Sequence, residues 1–186
     1  MISSFLWGMV GYCLISLPFY IVLRSIYMRK RKKNALREIT MLLFFLYCVS
    51  IFSQTIIPNF YIEQGRIVLN TATAYTRSNF QPLATIHLYY NQLGGPIAQI
   101  AFYNLAGNIV LFIPFGFFMP LLWKKLRSWR RMHIVAFAIP LFIEGTQYFI
   151  GRSIDVDDVL LNAMAIIIGF TLYKVLQRLR KLIREK

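Results

Sequence analysis

The chain has 186 residues, 58% of them hydrophobic, and its mean hydropathy is +0.55. A water-soluble domain of this size cannot hide that much apolar surface, so a soluble globular fold is excluded. The net charge of +14 falls in blocks beside apolar runs, which points to anionic lipid and away from nucleic acid.

Near-continuous apolar runs occupy residues 5–27, 40–57, 96–123, 133–150 and 159–175. Each is close to the roughly 20 residues that cross a bilayer as a helix. The expected fold is all-α, a polytopic membrane protein of about five transmembrane helices in a single domain over residues 1–186. The first run lacks a basic leader and a small-residue cleavage site, so it reads as a retained span and not a removed signal peptide. Cys13 and Cys48 fall inside spans, where small buried thiols are expected and not a disulfide. An outer loop of about 38 residues, 58–95, follows the second run. Within it, residues 61–69 alternate around Gln64-Gly65 and suit a small hairpin. Residues 84–93 set Ile86, Leu88, Tyr89 and Tyr90 beside His87 and Asn91, the pattern of a helix lying in the membrane interface. Gly94-Gly95-Pro96 ends it. The run 96–123 is longer than one span needs and is expected to tilt or lie partly at the surface.

Lys and Arg follow the first, third and fifth runs. The blocks are Arg24 with residues 29–33 and Arg37, then Lys124, Lys125, Arg127, Arg130 and Arg131, then Lys174, Arg178, Arg180, Lys181, Arg184 and Lys186. Five crossings put all three on one side, and the positive-inside rule makes that side the cytoplasm. The N-terminus is then outside and the C-terminus inside.

Acidic residues behave differently. Four of the seven, Glu144, Asp155, Asp157 and Asp158, lie between the fourth run and the fifth. Carboxylates at the edge of hydrocarbon are costly and usually mark function. Helical spacing gives Asn104 and Asn108 one face, Glu144 and Gln147 another, and Asp155, Asp158 and Asn162 a third, with Asp157 turned elsewhere. The topology brings these faces to one leaflet. The expected ligand-binding cluster is Asn104, Asn108, Glu144, Gln147, Arg152, Asp155, Asp158 and Asn162. Arg152 is its only base, so buried carboxylates must keep protons or a cationic ligand must balance them. The structural alternative is that the amides glue helices together, each bond adding about 0.6 kcal/mol. Asp155 and Asp158 would then be solvated residues near a helix start, Asp155 favoured there by the helix dipole. Pro114 and Gly116 read as architectural, since proline loosens the backbone ladder of a span.

Three ordered blocks resemble the VanZ-like family of bacterial membrane proteins, over residues 79–170. They are Asn79-Phe-Gln-Pro82-Leu83, then Asn108-Ile-Val-Leu-Phe112-Ile-Pro114-Phe-Gly116, then Glu144-x-x-Gln147 followed by Asp155-x-x-Asp158-x-x-x-Asn162. Ala165 and Leu83 stand where the family usually has Gly and Phe, whereas Gly169 matches a later small position. The resemblance implies a multi-pass protein acting at the outer face of the bacterial cytoplasmic membrane and a role in resistance to teicoplanin-type glycopeptides. It supplies no reaction.

Three mechanisms remain open on the residues. In the first, the protein is a non-enzymatic factor that binds membrane lipid, a lipoglycopeptide or a lipid-linked envelope precursor. In the second, it is an intramembrane enzyme acting on an envelope lipid, with Glu144 and Asp158 as acid and base or, together with Asp155, as hard oxygen ligands of a divalent cation. The third is a small proton-coupled transporter, which the apolar stretches 111–118 and 135–141 disfavour. No cofactor or metal is expected, because no His pair, Gly-rich phosphate loop or activated Ser or Cys accompanies the carboxylates. The oligomeric state is left open.

Overall fold

A computed structural model describes residues 2–28, 34–56, 60–63, 66–69, 78–96, 98–150 and 153–185. The chain divides into two compact units, Met1–Asn70 and Thr71–Lys186.

The first unit is built on two helices, α1 (Ile2–Met28) and α2 (Ala35–Thr55), which pack against each other. Asn34 caps α2, its side chain accepting the Arg37 N–H at 3.2 Å, and so satisfies a donor that a helix start leaves orphaned. Tyr20 stacks on Phe45 at 4.7 Å. Cys13 and Cys48 are free thiols, and the Cys13 Sγ lies 3.3 Å from the Ser50 hydroxyl. Strands β1 (Phe60–Glu63) and β2 (Arg66–Leu69) form an antiparallel hairpin with Phe60 opposite Leu69 and Glu63 opposite Arg66. The Gln64-Gly65 turn expected between them lies outside the described residues.

One contact of this unit was not anticipated. Arg24 donates to Glu38 through Nε at 2.6 Å and Nη2 at 2.8 Å, a two-pronged pair with side chains only 21% and 25% exposed. Charge-assisted bidentate pairs are the strong kind, and partial burial spares this one from full solvent screening. Alanine at both positions, read as a double-mutant cycle on the purified protein, is expected to give a coupling of about 1–2 kcal/mol, between exposed and fully buried pairs. Strictly additive losses would show that the pair adds nothing.

The second unit holds α3 (Ala84–Gln92), α4 (Ala98–Leu122), one 3₁₀ turn (Lys124–Arg127), α5 (Trp129–Phe149) and α6 (Val156–Arg184). Helices α4 and α6 run in the same direction along each other. Asn108 meets Asp158 near one end, and Gly116 meets Ile166 and Phe170 further along. An alanine Cβ at position 116 would stand 1.8 Å from the Ile166 carbonyl oxygen, and one at 169 would stand 2.0 Å from that of Ile113. Only glycine allows two backbones this close, the packing that spans use where lipid removes any hydrophobic drive. Phe112, Ile166, Phe170 and Met132 fill the core, with Ala136, Ala163 and Ala165 buried among the helices. Ala165 is fully buried.

Among the described residues, four helical stretches are long and apolar enough to cross a membrane: Met9–Met28, Ala35–Thr55, Ala101–Leu122 and Val156–Arg184. Helix α5 falls below that apolarity because it carries Arg130, Arg131, His133, Glu144 and Gln147. It runs antiparallel to α6 all the same. Trp129 at its start packs edge-on against Phe170 at 4.7 Å, and Glu144 near its end reaches the start of α6. Helices α4 and α6 run in one direction and α5 runs back between them; its 21 residues and about 31 Å of rise match a bilayer in length, though not in apolarity. The all-α polytopic fold expected from the apolar runs is therefore the one observed, with the β1–β2 hairpin as a small addition.

Candidate functional site

At the common end of the second unit, the start of α6, the end of α5 and the first half of α4 meet beneath the segment that leads into α3. Asp155 is the N-cap of α6, its side chain accepting the Asp157 N–H at 2.9 Å. The segment before α3 pairs with this turn as extended backbone: Asn79 N–H donates to the Ile154 carbonyl at 2.8 Å, and Val156 N–H donates to the Asn79 carbonyl at 3.0 Å. The Asn79 side chain gives its amide to Asp155 Oδ1 at 3.0 Å and to the Thr85 hydroxyl at 3.0 Å, while its own oxygen accepts the Gln81 N–H at 2.9 Å. The motif begun by Asn79 thus closes directly on the motif begun by Asp155.

Asp157 is the hub that spacing alone did not single out. It is fully buried and accepts the backbone N–H of Leu83, of Thr85 at 2.7 Å and of Ile86 at 3.2 Å. These are the orphaned donors at the start of α3, whose N-cap position, Leu83, offers no capping side chain. Leu83 has φ 69°, a left-handed conformation that costs a bulky residue energy and persists where surrounding contacts hold it. The sequence did carry one signal of this arrangement: Pro82-Leu83-Ala84 opens a helix with no Ser, Thr, Asp or Asn at the cap, so its donors needed an acceptor from elsewhere.

Glu144 is 5% exposed, and its Oε2 accepts the Asp155 backbone N–H at 3.0 Å, tying the end of α5 to the start of α6. Asp158 is half-buried on the α6 face turned to α4 and accepts from the Asn108 amide at 2.7 Å. Asn162, one turn further along that face, is 5% exposed, and its Oδ1 has no hydrogen-bond partner. Gln147 is half-buried one turn beyond Glu144, and Asn104 is exposed one turn before Asn108. Arg152 lies outside the described residues. The structure thus pairs Glu144 with Asp155 and Asn108 with Asp158 by hydrogen bonds, has Asn162 one turn beyond Asp158, and leaves Asn104 at the surface. Pro114 sits inside α4, two residues before the close approach that Gly116 makes to α6. Among the described residues, no group of three or more His, Cys, Asp or Glu side chains is disposed to hold a metal ion.

The carboxylates divide by what they bind. Asp155 and Asp157 are turned to backbone amides and hold the chain in place. Asp158 and Asn162, with Asn108 opposite, face the seam between α4 and α6. The basic residues sit at the other end of the same helices: Arg127 donates to the Pro120 carbonyl at 3.0 Å, and Lys174 lies 5.4 Å from the Phe170 ring centroid.

Such a fold and site define a polytopic helical membrane protein with a carboxylate–amide cluster at one end of its helix bundle. The VanZ/LLP1 family profile matches residues 44–177, well over half the chain, and the chain belongs to that family. No curated protein and no solved structure matches it.

Proposed function

We propose that this protein acts at the outer face of the bacterial cytoplasmic membrane as a non-enzymatic factor. In this reading the Asn108–Glu144–Asp158–Asn162 cluster engages a lipoglycopeptide or a lipid-linked envelope precursor, and the cellular result is tolerance of teicoplanin-type antibiotics. The observation that carries it is the polarity of the second unit. The carboxylates gather at one end of α4, α5 and α6, while Arg127, Arg130, Arg131, Lys174 and Arg178 gather at the other. By the positive-inside rule the basic end is cytoplasmic, which turns the acidic end outward, where such ligands are.

Susceptibility of a sensitive Gram-positive host expressing the chain, to teicoplanin and vancomycin in parallel, tests the reading. Tolerance is expected to rise for teicoplanin alone and to be lost when Glu144→Gln and Asp158→Asn are combined at matched expression. The amide at 144 can still accept the Asp155 N–H and the one at 158 can still accept from Asn108, so these two contacts outlast removal of the charge. Undiminished tolerance in the double variant would overturn the role given to the cluster.

A further inference from the structure

Helix α6 outruns the bilayer and takes an apolar stripe with it. Its 29 residues rise about 43 Å, against about 30 Å of hydrocarbon. The first charge after Asp158 is Lys174, which sets the hydrocarbon edge near Tyr173, and residues 174–184 then add about 16 Å beyond it. Ile168, Leu172, Val175, Leu179 and Leu182 recur at intervals of four, three, four and three, the heptad spacing that keeps one line of side chains facing a partner helix. These five are between 39% and 52% exposed, and they lie off the side on which α6 buries Ile166, Phe170 and Tyr173. Lipid tails cover Ile168 and Leu172, but Leu179 and Leu182 stand among headgroups and water. The charges decide what kind of helix covers the stripe. With Leu172 and Leu179 at position a of the heptad, Lys174, Arg180, Lys181 and Arg184 fall at b, c and f, which look outward from a helix pair. The e and g positions beside the stripe hold Thr171, Leu176, Arg178 and Ile183. An acidic partner helix would find one cation there, whereas a copy of α6 would find an apolar face like its own, with most of the charge kept at a distance.

We propose that α6 pairs in parallel with α6 of a second copy of this chain, along the stripe from Ile168 to Leu182. Copies inserted in a membrane share one orientation, so a two-fold axis along the membrane normal sets the two helices parallel and in register, as a heptad stripe requires. Contact begins in hydrocarbon at Ile168 and Leu172 and ends outside it at Leu182. There, removal from water adds the hydrophobic drive that lipid denies to helices inside the bilayer. The pairing stands on α6 alone and is independent of the ligand reading above.

Disulfide cross-linking of the full chain in membranes tests it, with single cysteines introduced into a Cys13→Ala/Cys48→Ala background. Under oxidation, Leu172→Cys, Val175→Cys, Leu179→Cys and Leu182→Cys are expected to yield a cross-linked pair. Lys174→Cys, Gln177→Cys and Lys181→Cys, on the outward side, are expected to yield little. Co-expression of two differently tagged copies identifies the pair as two copies of this chain. Equal cross-linking all round the helix, none on the stripe, or a product joined to a different protein would each overturn the proposal. A second measurement reads association without cysteines. The purified chain in a mild detergent is expected to have a mass that is a multiple of 21.8 kDa. Leu179→Glu combined with Leu182→Glu should weaken association by about tenfold or more, since the carboxylates would lose hydration in the contact. Both side chains are exposed in the single chain, so its fold does not rest on them. Gln177→Glu combined with Lys181→Glu sets the same two carboxylates on the outward side and should leave the mass unchanged. Association that survives carboxylates on the stripe, or that is lost equally with carboxylates on the outward side, would show that α6 does not meet a second copy there.

Discussion

Replacing Gly116 with alanine is expected to part α4 from α6 and to lower the melting temperature of the purified protein by roughly 10 °C. The added methyl group would stand 1.8 Å from the Ile166 carbonyl oxygen and 2.7 Å from the Phe170 nitrogen, and both are backbone atoms. A flexible side chain in the way would swing aside. A helix backbone has no such freedom, so the helices must separate by an ångström or more and forfeit their other contacts. Small-to-large changes in well-packed cores cost about 1–3 kcal/mol and more where nothing relaxes, and this site belongs at or above that upper end. Gly169→Ala should behave alike, its Cβ meeting the Ile113 carbonyl oxygen at 2.0 Å. Gly107→Ala and Gly145→Ala are the controls: a Cβ at either meets nothing within 4 Å, and alanine favours a helix by up to about 1 kcal/mol over glycine. Equal stability in all four variants would mean that the two helices are not seated on each other as described.

Much of this architecture was legible in the residues, and the reasons for success and failure are physical. Bilayer thickness demands long apolar runs, and each of the five runs is a long helix. Their ends were less legible, because hydropathy marks where hydrocarbon stops and not where the backbone ladder stops. Helix α6 continues to Arg184 through Lys174, Gln177, Arg178, Arg180 and Lys181, residues that leave hydrocarbon readily but are good helix formers. In α5 the reverse happened: Arg130, Arg131 and Glu144 dilute its apolarity, so a run expected to span is not among the four helices apolar enough to do so, although it packs antiparallel to α6. Helical spacing put Asp155, Asp158 and Asn162 on one face; the structure has Asp158 meeting Asn108 there, whereas Asp155 caps α6 and turns to the Asp157 backbone amide. The meeting of Asn79 with Asp155 was beyond any periodicity, since 76 residues separate them and the pairing runs through extended backbone outside the helices. Asp157 was read as turned away because it departs from the face of Asp158. It is turned to α3, which only the fold brings near.

That hub carries the second large prediction. Asp157→Ala is expected to release α3 and the segment from Ser78 to Leu83 from the start of α6, at a cost of about 3–5 kcal/mol. The substitution strips the acceptor from the Leu83, Thr85 and Ile86 N–H groups at once, and each buried donor left unmade costs about 1–3 kcal/mol. It also frees Leu83 from the contact beside its left-handed backbone. Asp157→Asn is the more searching variant. It keeps size and one oxygen but turns an NH2 group toward at least one backbone donor, so most of the loss should remain although the shape is preserved. Amide hydrogen exchange is the measurement, because it reads α3 separately from the rest. Exchange should quicken at Leu83, Thr85, Ile86 and along α3, while the amides of α4 and of α6 beyond its first turn stay protected. Unchanged protection of α3 in both variants would show that its packing against α4 suffices to seat it. Loss of protection throughout α4 and α6 would instead show that Asp157 supports the whole unit, and that the docked position of α3 and the carboxylate–amide seam beneath it form one cooperative structure.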